Sequence, residues 1–339
     1  MSSTTVIESK VDEKFETPFT TAVLDNDTTF WREYIAGRPS PSDGFFHLIN
    51  EYQAGVGDYH RKVAHDVGTG PGNIAARLAK YYDHVVGSDV NDQALAAVPA
   101  LISADVYNRM TTVKAPAEQL SSGVVPAAVG KGKTDLLVVS ECMPLLDPVA
   151  SVQAFNELLR PNGALAIYFY GRPLFADGNK DECDQIYDRI ATRICSFLLP
   201  FKGTPGFPFH QRGAEALVSW LDNIAFPRDS WTRVQRYKWN SNVPLLFNSK
   251  DGYDFEFERV DRRQEGEVTK EFIDRSYWQD DWDIKRIAGY LASVYPNYQK
   301  KAGERYVEIE KMLEELDVAM GKTERRVSFP VSLILATKK

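Results

Sequence analysis

Residues 63–90, VAHDVGTGPGNIAARLAKYYDHVVGSDV, join an apolar run, a glycine-rich loop, a helix-like segment and a second apolar run that ends near an aspartate. Glycines occupy positions 68, 70 and 72, directly before apolar residues at helical spacing. Glycine lets a backbone turn sharply and lets a ligand approach without a Cβ in the way. The helix that follows directs its free N–H groups and its positive end toward the space above the loop. The stretch therefore predicts a strand–loop–helix–strand unit that binds a ligand at the ends of its strands.

Short apolar runs alternate with helix-length segments through the first half of the chain. Near-continuous apolar and β-branched residues are typical of parallel strands that are covered on both faces. Such runs occur at 62–68, 84–90, 111–117, 134–141 and 163–171. Segments with apolar residues at helical spacing lie between them, at 73–82, 92–102 and 148–160. The alternation predicts a doubly wound α/β sheet.

The second half of the chain departs from this alternation. Pro330 lies inside an apolar run and favours an edge position or a bulge, because proline donates no ladder hydrogen bond. The aromatic and basic segment 231–239 predicts a half-exposed strand or hairpin. Further strand-like runs are predicted at 253–262 and 327–338, and helices at 181–199, 213–224, 281–294 and 302–320. We therefore expect one sheet with a large insertion before its last two strands.

These elements divide the chain into four parts. The expected parts are a flexible N-terminal tail at 1–29, an α/β core with an N-terminal closing segment at 30–171, a helical and β cap insertion at 172–250, and a C-terminal completion of the sheet at 251–339. The cap would lie over the strand ends and enclose a substrate. Enclosure excludes water from a reactive ligand and fixes distances within the site.

Composition and charge argue against several classes of protein. The 339 residues are 43% hydrophobic and 26% charged, which is ordinary for a globular chain. The formal net charge of −7 provides no electrostatic footprint for nucleic acid or an anionic membrane. Three scattered cysteines match neither a disulfide framework nor a zinc site, and no apolar run approaches the ~20 residues of a membrane span. We expect a cytoplasmic monomer or homodimer with a small-molecule substrate and no metal, membrane or nucleic-acid partner.

Two aspartates beside the loop narrow the choice of ligand. Asp89, at the end of the second predicted strand, can accept hydrogen bonds from both hydroxyls of a ribose. A dinucleotide fingerprint needs glycine or alanine at position 73, and this chain has Asn73. Asp66 would add negative charge next to a pyrophosphate, but it suits a ligand with a positive amino group. S-adenosylmethionine has that group, a carboxylate and a ribose, so the sequence favours it over NAD(P).

Six motifs extend this interpretation over nearly the whole chain, from about Phe30 to Lys338. They are YIAGRPSP (34–41), DVGTGPG (66–72), GSDV (87–90), APAEQL (115–120), LRPNGALAIYFYGRP (159–173) and FPVSLILATK (329–338). With these motifs the chain resembles the class I S-adenosylmethionine-dependent methyltransferases. Within that class it is similar to the fungal group around trans-aconitate methyltransferase. The resemblance implies a Rossmann-like, seven-stranded sheet whose last strand is antiparallel.

The resemblance also implies roles for individual residues. It implies that the glycine loop surrounds the methionine moiety, that Asp89 binds the ribose, and that the segments after the third and fourth strands lie near the adenine and the methionine end. The implied cofactor-binding residues are Asp66, Gly68, Gly70, Gly72, Asp89, Ala117, Glu118, Glu141 and Cys142. Tyr34 and Arg38 match an N-terminal motif that closes over cofactor and substrate. Met143 and Pro144 stand where the family commonly has a His-Trp pair, so a different acceptor chemistry is expected.

The methyl acceptor is predicted from the groups available to hold it. Methyl transfer from a sulfonium is an in-line displacement that the protein assists mainly by positioning. A phenol or alcohol would benefit from a general base, whereas an ionised carboxylate needs only an anchor such as arginine. His210 is the plausible base among five histidines, while Arg38 and Arg172 lie at the two expected edges of the pocket. With Tyr34 and Tyr170 as walls, the sequence predicts methyl ester formation on a small carboxylic acid in fungal metabolism.

Other functions remain open on this evidence. O-methylation of a phenol or alcohol, or S-methylation of a thiol, in secondary metabolism would use the same cofactor. An NAD(P)-dependent oxidoreductase is disfavoured by Asn73 and by the lack of a readable residue pair for hydride transfer. A binding or regulatory protein could keep this fold without turnover. Cations and aromatics alternate at 231–239 as in nucleic-acid binders, which makes a nucleic-acid methyltransferase a lesser alternative.

Overall fold

The strands lie in two sheets in the computed structural model, which describes residues 28–57, 59–198, 207–243 and 257–339. The strands of these residues are β1 (Val63–Val67), β2 (His84–Asp89), β3 (Met110–Lys114), β4 (Thr134–Ser140), β5 (Leu159–Tyr170), β6 (Leu174–Phe175), β7 (Trp231–Trp239), β8 (Val268–Phe272), β9 (Gln279–Trp282), β10 (Arg325–Ser328) and β11 (Val331–Lys338). The large sheet has the order β3-β2-β1-β4-β5-β11-β7-β8, and the small sheet has the order β6-β10-β9.

Helices connect these strands, and several of them start at a side-chain cap. In the same residues they are α1 (Thr29–Gly37), α2 (Asp43–Ala54), α3 (Asn73–Leu78), α4 (Asp92–Leu101), α5 (Ala104–Tyr107), α6 (Pro148–Leu158), α7 (Lys180–Leu198), α8 (Phe207–Val218), α9 (Ile284–Val294), α10 (Tyr298–Ala302) and α11 (Tyr306–Ala319). The side chain of Asn91 accepts hydrogen bonds from the backbone at the start of α4. Asp147 does the same for α6, where Pro148 occupies the first turn. Such caps satisfy backbone donors that the helix itself leaves free.

The large sheet confirms the predicted doubly wound core. Strands β1 to β5 pair in parallel, and β11 runs antiparallel to β5 from Val331 opposite Tyr170 to Thr337 opposite Ala164. The five strands and three helices predicted in the first half all form, with bounds that differ by a few residues. The last strand is therefore antiparallel, as the resemblance implied.

The strand count of the large sheet is eight, and the implied seven is wrong. Strand β8 pairs in parallel with β7 beyond the expected edge. The reason lies in buried cations of β7: Arg236 is 1% exposed and donates to Glu267 at 2.6 Å, and Lys238 binds Asp222. Glu271 of β8 lies 3.6 Å from the Lys238 Nζ. The segment with β8 thus adds Glu267 and Glu271 to the pairing that Asp222 already gives these cations, and buried charges without enough partners are costly.

Segment 231–239 was predicted to be a half-exposed strand or hairpin; it is a strand, but it lies inside the sheet and is mostly buried. Strand β7 lies between β11 and β8, although it falls inside the range 172–250 predicted as a cap. The part of that range that lies outside the sheet includes α7 and α8. Because Arg236 and Lys238 are buried and paired, the alternating cations of this segment do not form an exposed basic strip.

The C-terminal third differs from the predicted pattern in several places. The strand predicted at 253–262 lies partly outside the described residues, and its described part, 257–262, forms no strand. Strands form instead at β8 and β9, and α9 begins after its cap Asp283. The apolar run 327–338 divides at Phe329 and Pro330, so that β10 joins the small sheet and β11 the large one. Pro330 was predicted at an edge or a bulge, and it lies instead between the two strands, where it donates to neither ladder.

Two apolar clusters cover the two faces of the large sheet. Along β4, Leu136 and Val138 belong to one cluster, and Leu137 and Val139 belong to the other. Helices α2, α3, α7 and α9 contribute to the first cluster, and α6 and α8 to the second. Each fully buried Val or Leu side chain stabilises the fold by roughly 1.5–3 kcal/mol. With both faces covered, the open place for a ligand is the edge formed by the carboxyl ends of the strands.

Candidate active site

The glycine loop after β1 depends on backbone conformations that favour glycine. Gly68, Gly70 and Gly72 have φ values of 69°, 53° and 89°. A Cβ built on Gly68 would lie 2.6 Å from the Sγ of Cys142, so this position also has no room for a side chain. A Cβ on Gly70 would meet no atom within 4 Å. Gly68 therefore fits against the end of β4, while Gly70 faces open space.

A cavity of about 610 Å³ lies above this loop, at the carboxyl ends of β1, β2, β4 and β5. Its size is within the ~300–1,000 Å³ typical of small-molecule sites. Most of the residues predicted from the sequence line it: Gly68, Gly70, Asp89, Ala117, Glu118, Glu141 and Cys142 on the predicted cofactor side, and Tyr34, Arg38, Tyr170 and Arg172 on the predicted acceptor side. Among the described residues, the lining does not include Asp66, Gly72 or His210. The structure thus brings the two predicted groups into one cavity and leaves three residues out of it.

Asp66 lies beneath the loop rather than in the cavity. Its side chain is fully buried, and its Oδ2 accepts a hydrogen bond of 2.7 Å from the Thr69 hydroxyl. Burial raises the pKa of this carboxyl to about 7. Gly72 is the N-cap residue of α3. In this structure both residues shape the loop. Asp66, which was expected to bind the amino group of the cofactor, does not line the cavity.

Asp89 ties the end of β2 to the glycine loop and still lines the cavity. Its Oδ2 accepts from the Gly70 amide at 2.8 Å, and its Oδ1 accepts from the Asn91 amide at 2.9 Å. Burial raises the pKa of Asp89, and the backbone hydrogen bonds act in the opposite direction. Each carboxylate oxygen has two lone pairs, so both can accept a further hydrogen bond from a ligand.

The far wall of the cofactor side is largely apolar. Ala117 and Glu118 lie in a short 3-10 helix after β3, and the Glu118 Oε1 accepts from the Asp147 amide at 2.9 Å. This contact links the wall to the start of α6. The prediction missed further lining residues on this side: Val67, Ser88, Val90, Asn91, Ala94, Ala115, Pro116, Leu145 and Leu146. Most of them are next to predicted residues in the chain, so the sequence motifs could have been used to predict them as well.

Glu141 stands where the two sides of the cavity meet. Its backbone has a φ of 61°, its Oε1 accepts from the Tyr170 amide at 2.7 Å, and its Oε2 lies 3.9 Å from the Arg38 Nη1. Burial raises its pKa to about 8, although the Arg38 charge acts to lower it. The neighbouring Cys142 thiol donates to the Val67 carbonyl at 3.3 Å, and burial raises its pKa. Cys142 is therefore a neutral thiol at ordinary pH.

Arg38 joins three elements above the cavity. Its Nη1 donates to the Tyr170 hydroxyl at 3.1 Å, and its Nη2 donates to the Ser293 carbonyl of α9 at 3.0 Å. Its guanidinium also lies 4.9 Å from the centre of the Tyr34 ring. The Arg38 Nε is buried and has no hydrogen-bond partner among the described residues. Helix α1 is thereby attached to β5 and α9.

Arg172 lines the cavity, but it is not available in the way the sequence suggested. Its Nη1 donates to the Asp184 Oδ1 at 3.1 Å, and its Nε lies 2.8 Å from the Asp188 Oδ1. Both aspartates belong to α7. The predicted role of Arg172 as a substrate anchor stays a prediction, and these ion pairs count against it, because two carboxylates already neutralise one guanidinium. Its observed role is to hold α7 against the end of β5.

His210 does not reach the cavity. Its ring contacts the rings of Phe207 and Phe257, with centroids 6.4 Å and 5.7 Å away. Burial lowers its pKa to about 4, so the imidazole is neutral. A neutral ring away from the lining is not placed to take a proton from a bound acceptor. The general-base role considered for His210 is corrected accordingly.

The departure at Met143 and Pro144 also has a structural role. Met143 is buried, and Pro144 lines the cavity. A Cβ on Gly213 of α8 would lie 3.1 Å from the Pro144 carbonyl, so α8 rests closely on this turn. Helices α7, α8 and α9 then supply lining residues that the sequence did not reveal: Tyr187, Ala191, Arg212, Leu217, Tyr290 and Val294, with Tyr295 just after α9. Trp31 of α1 also lines the cavity.

Neither a metal centre nor a membrane-spanning helix is found in the part of the chain that the structure describes. No group of three or more His, Cys, Asp or Glu residues in it is arranged to hold a metal ion. None of its helices is both long and apolar enough to cross a bilayer.

Comparisons with known proteins agree with this geometry. Residues 64–163 match a family described as a methyltransferase domain. The methyltransferase ptaI of Pestalotiopsis fici is 59% identical over 96% of this chain and 98% of its own length. The methyltransferases pgmE of Aspergillus terreus (36% identical, 91% of this chain, 93% of its own) and cfoB of Aspergillus candidus (33%, 92% and 95%) are also similar. These descriptions state no substrate, so the likeness to trans-aconitate methyltransferases remains a prediction.

A solved structure shares the fold at low sequence identity. It is from Anaeromyxobacter dehalogenans and is assigned to the type II methyltransferases. It superposes with a TM-score of 0.52 at 16% identity, covering 88% of this chain and 97% of the other. This likeness supports the architecture alone, because identity is too low to carry a substrate across.

Proposed function

This chain belongs to the class I S-adenosylmethionine-dependent methyltransferases, and on that premise we propose that it methylates an oxygen atom of a small aromatic or enolic compound. S-adenosylmethionine is the cofactor, and when bound it supplies an electrophilic methyl group. The residues present suit it: Asp89 offers acceptors to a ribose, Gly70 leaves room beside the loop, and Ala117 lies on an apolar wall. The chain's own part is to bind and orient both ligands and to keep water away from them.

The observation that carries the proposed acceptor is the aromatic wall on that side of the cavity. Tyrosines of α1, β5, α7 and the α9 region line it: Tyr34, Tyr170, Tyr187, Tyr290 and Tyr295. Burial raises the pKa of each of these phenols, so the wall is neutral. Aromatic side chains bind planar ligands through stacked or edge-on contacts with a gain of ~0.5–1.5 kcal/mol per pair. A neutral planar acceptor suits this wall, and Arg172 offers no spare charge to an anion.

A carboxylic acid remains the second candidate because of Arg38. The buried Nε of that residue lacks a hydrogen-bond partner among the described residues, and a carboxylate could supply one. Arg212 of α8 also lines the cavity. Methyl ester formation on a small acid, which the sequence favoured, would then use Arg38 together with Arg212 instead of Arg172. The weaker point of this candidate is Glu141, whose carboxyl lies 3.9 Å from Arg38 and competes for it.

Wider aspects of the proposal rest on the sequence. We propose a role in fungal secondary metabolism, because the relatives come from Pestalotiopsis and Aspergillus. The net charge of −7 supports a small-molecule rather than a nucleic-acid partner. Action in the cytoplasm, as a monomer or homodimer, is part of the same proposal. Helices α7 and α8 would act as the cap within 172–250, since both line the cavity.

Matched pairs of acceptors test the proposed function. Each pair would present one carbon skeleton with either a phenolic hydroxyl or a carboxyl group, and mass spectrometry would record the gain of one methyl. We expect methylation of the hydroxyl members in the presence of S-adenosylmethionine. Turnover of the carboxyl members alone would favour the second candidate. Methylation of thiols alone would contradict both.

A further inference from the structure

We propose that Glu141 is the catalytic residue that accepts the proton of the acceptor hydroxyl. This inference rests on the proposed function, because only an acceptor that carries a proton needs such a residue. It assigns a chemical role to a side chain for which the resemblance implied only proximity to the cofactor.

Three carboxylates line the cavity within the described residues, and two of them, Asp89 and Glu118, lie at its predicted cofactor end. Both oxygens of Asp89 accept backbone hydrogen bonds from the loop and from the residue after β2. Glu118 is linked to the start of α6, beyond the predicted adenine position. Glu141 differs, because only its Oε1 is fixed by a hydrogen bond of the backbone and its Oε2 lies on the side of Arg38. Glu141 lies between the predicted cofactor side and the predicted acceptor side of the cavity, and we infer that an acceptor oxygen and the methyl group meet beside it.

The backbone at Glu141 holds the side chain in this place. A φ of 61° is uncommon for a residue other than glycine, and such conformations persist where the surroundings demand them. Glu141 follows directly after β4, between Ser140, whose hydroxyl donates to Tyr168 at 2.7 Å, and Cys142, which contacts the glycine loop. The hydrogen bond from the Tyr170 amide then orients the carboxyl group. A group aligned from both ends is preorganised for proton transfer.

The electrostatic surroundings suit a base that works above neutral pH. The titratable and charged groups that interact with Glu141 come from α1, β5, α9 and the adjacent residue: Tyr34, Arg38, Cys142, Tyr168, Tyr170 and Tyr290. Arg38 favours the ionised carboxylate, and burial outweighs that effect and raises the pKa to about 8. A phenol has an ordinary pKa of about 10. The proton transfer from such a hydroxyl to Glu141 is therefore less unfavourable than transfer to an ordinary glutamate.

The proposed step balances in atoms and charge. The Oε2 of Glu141 accepts the proton as the hydroxyl O–H bond breaks, and the oxygen forms a bond to the methyl carbon. The carbon–sulfur bond breaks in the same displacement, and its electron pair stays on sulfur and cancels the sulfonium charge. The products are a methyl ether, a neutral thioether and a protonated Glu141. That residue returns its proton to water when the products leave.

The variant Glu141→Gln tests the role. Glutamine has the same shape and can still accept the Tyr170 amide hydrogen bond, but it cannot take a proton. We expect kcat on a simple phenol to fall by about 10²–10⁴-fold, as is typical for loss of a general base. The dissociation constant for S-adenosylmethionine, measured by calorimetry without acceptor, should stay within about threefold. The matched variant His210→Gln, which replaces the base considered from sequence, should keep kcat within about threefold.

Two further measurements separate a base from a structural or cofactor-binding residue. For the natural enzyme, kcat/KM on a phenol should rise with pH until the pKa of Glu141, about 8, and then level off, and Glu141→Gln should lack this rise. Phenols with electron-withdrawing substituents, already ionised at the working pH, should be methylated by the variant at nearly the natural rate. If the variant fails to fold, the natural enzyme's pH profile decides alone.

Several outcomes would overturn the inference. These are an unchanged kcat in Glu141→Gln, a loss of kcat equalled by a loss of cofactor affinity, or an equal loss on ionised and neutral phenols. Each of them leaves the proposed function intact if the natural enzyme still methylates phenols. Failure of the natural enzyme on every hydroxyl acceptor would instead contradict the proposed function itself.

Discussion

The two sides of the cavity are built in different ways. The cofactor side consists of short segments that follow β1, β2, β3 and β4, and its key contacts join backbone atoms to side chains nearby in the sheet. The acceptor side is assembled from α1, α7, α8 and α9, which lie far apart in the sequence. Its contacts include one between segments far apart in the sequence, from Arg38 to the Ser293 carbonyl. A site can thus combine a locally encoded half with one that exists only after the whole chain has folded.

The largest effect is expected where the cofactor side has no room for change. Gly68→Ala should lower the free energy of unfolding by about 2–5 kcal/mol, because the new Cβ meets Cys142 at 2.6 Å in a left-handed conformation. The matched variant Gly70→Ala shares the conformation but has free space, so its loss should be about 1–2 kcal/mol. Urea denaturation without ligand measures both. Equal losses of unfolding free energy in the two variants would mean that the close contact with Cys142 does not contribute to stability.

The next largest effect is expected on the acceptor side, where loss of Arg172 should mainly lower the free energy of unfolding. Arg172→Ala leaves Asp184 and Asp188 without their cation, and we expect a loss of about 2–4 kcal/mol in unfolding free energy, reduced by the partial exposure of both carboxylates. Cofactor affinity should change little. The control Arg172→Lys keeps the charge without the planar fork and should lose less. An unchanged stability, together with a strongly raised KM for carboxylic acids, would restore Arg172 as a substrate anchor.

A smaller effect is expected from a single ligand contact on the cofactor side. Asp89→Ala should weaken S-adenosylmethionine binding by about 1.5–3 kcal/mol, roughly a 10–150-fold rise in Kd, because the ribose hydroxyls lose a charged acceptor. Asp89→Asn keeps one acceptor oxygen and should lose less. Calorimetry measures both, with circular dichroism to confirm the fold. Unchanged affinity in the alanine variant would show that the ribose lies elsewhere.

The cofactor side could be predicted because its information is local. Gly68, Gly70 and Asp89 belong to one βαβ unit, in which strand direction and loop length place the side chains without knowledge of the rest. Glu141 and Cys142 were implied by the family resemblance, and the structure places them beside the loop because β1 and β4 are neighbouring parallel strands whose ends meet at one edge. The sequence placed Asp66 beside the amino group of the cofactor, whereas its side chain lies under the loop. The residue type alone does not say which way a side chain points.

Much of the acceptor side could not be predicted from the sequence, because hydrophobic periodicity identifies a helix but not the elements that pack against it. Tyr187 and Tyr290 lie on amphipathic helices whose apolar faces are plain from sequence, yet nothing local shows that both helices line the same cavity. The partners of Arg172 lie 12 and 16 residues further on, one turn apart on α7, and pair with it only when α7 turns that face inward. Strand β8 was missed because its residues are mostly exposed and lack an apolar alternation.

The buried cations of β7 bear on how the eighth strand could be inherited. Arg236 and Lys238 depend on carboxylates of the segment around β8 and on Asp222. A descendant that lost the β8 segment alone would keep Arg236 in the protein interior without Glu267. A descendant that lost the cations alone would leave Glu267 without its cation. The extra strand and the two charges are therefore expected to be gained or lost together, so that related sequences should carry either both or neither.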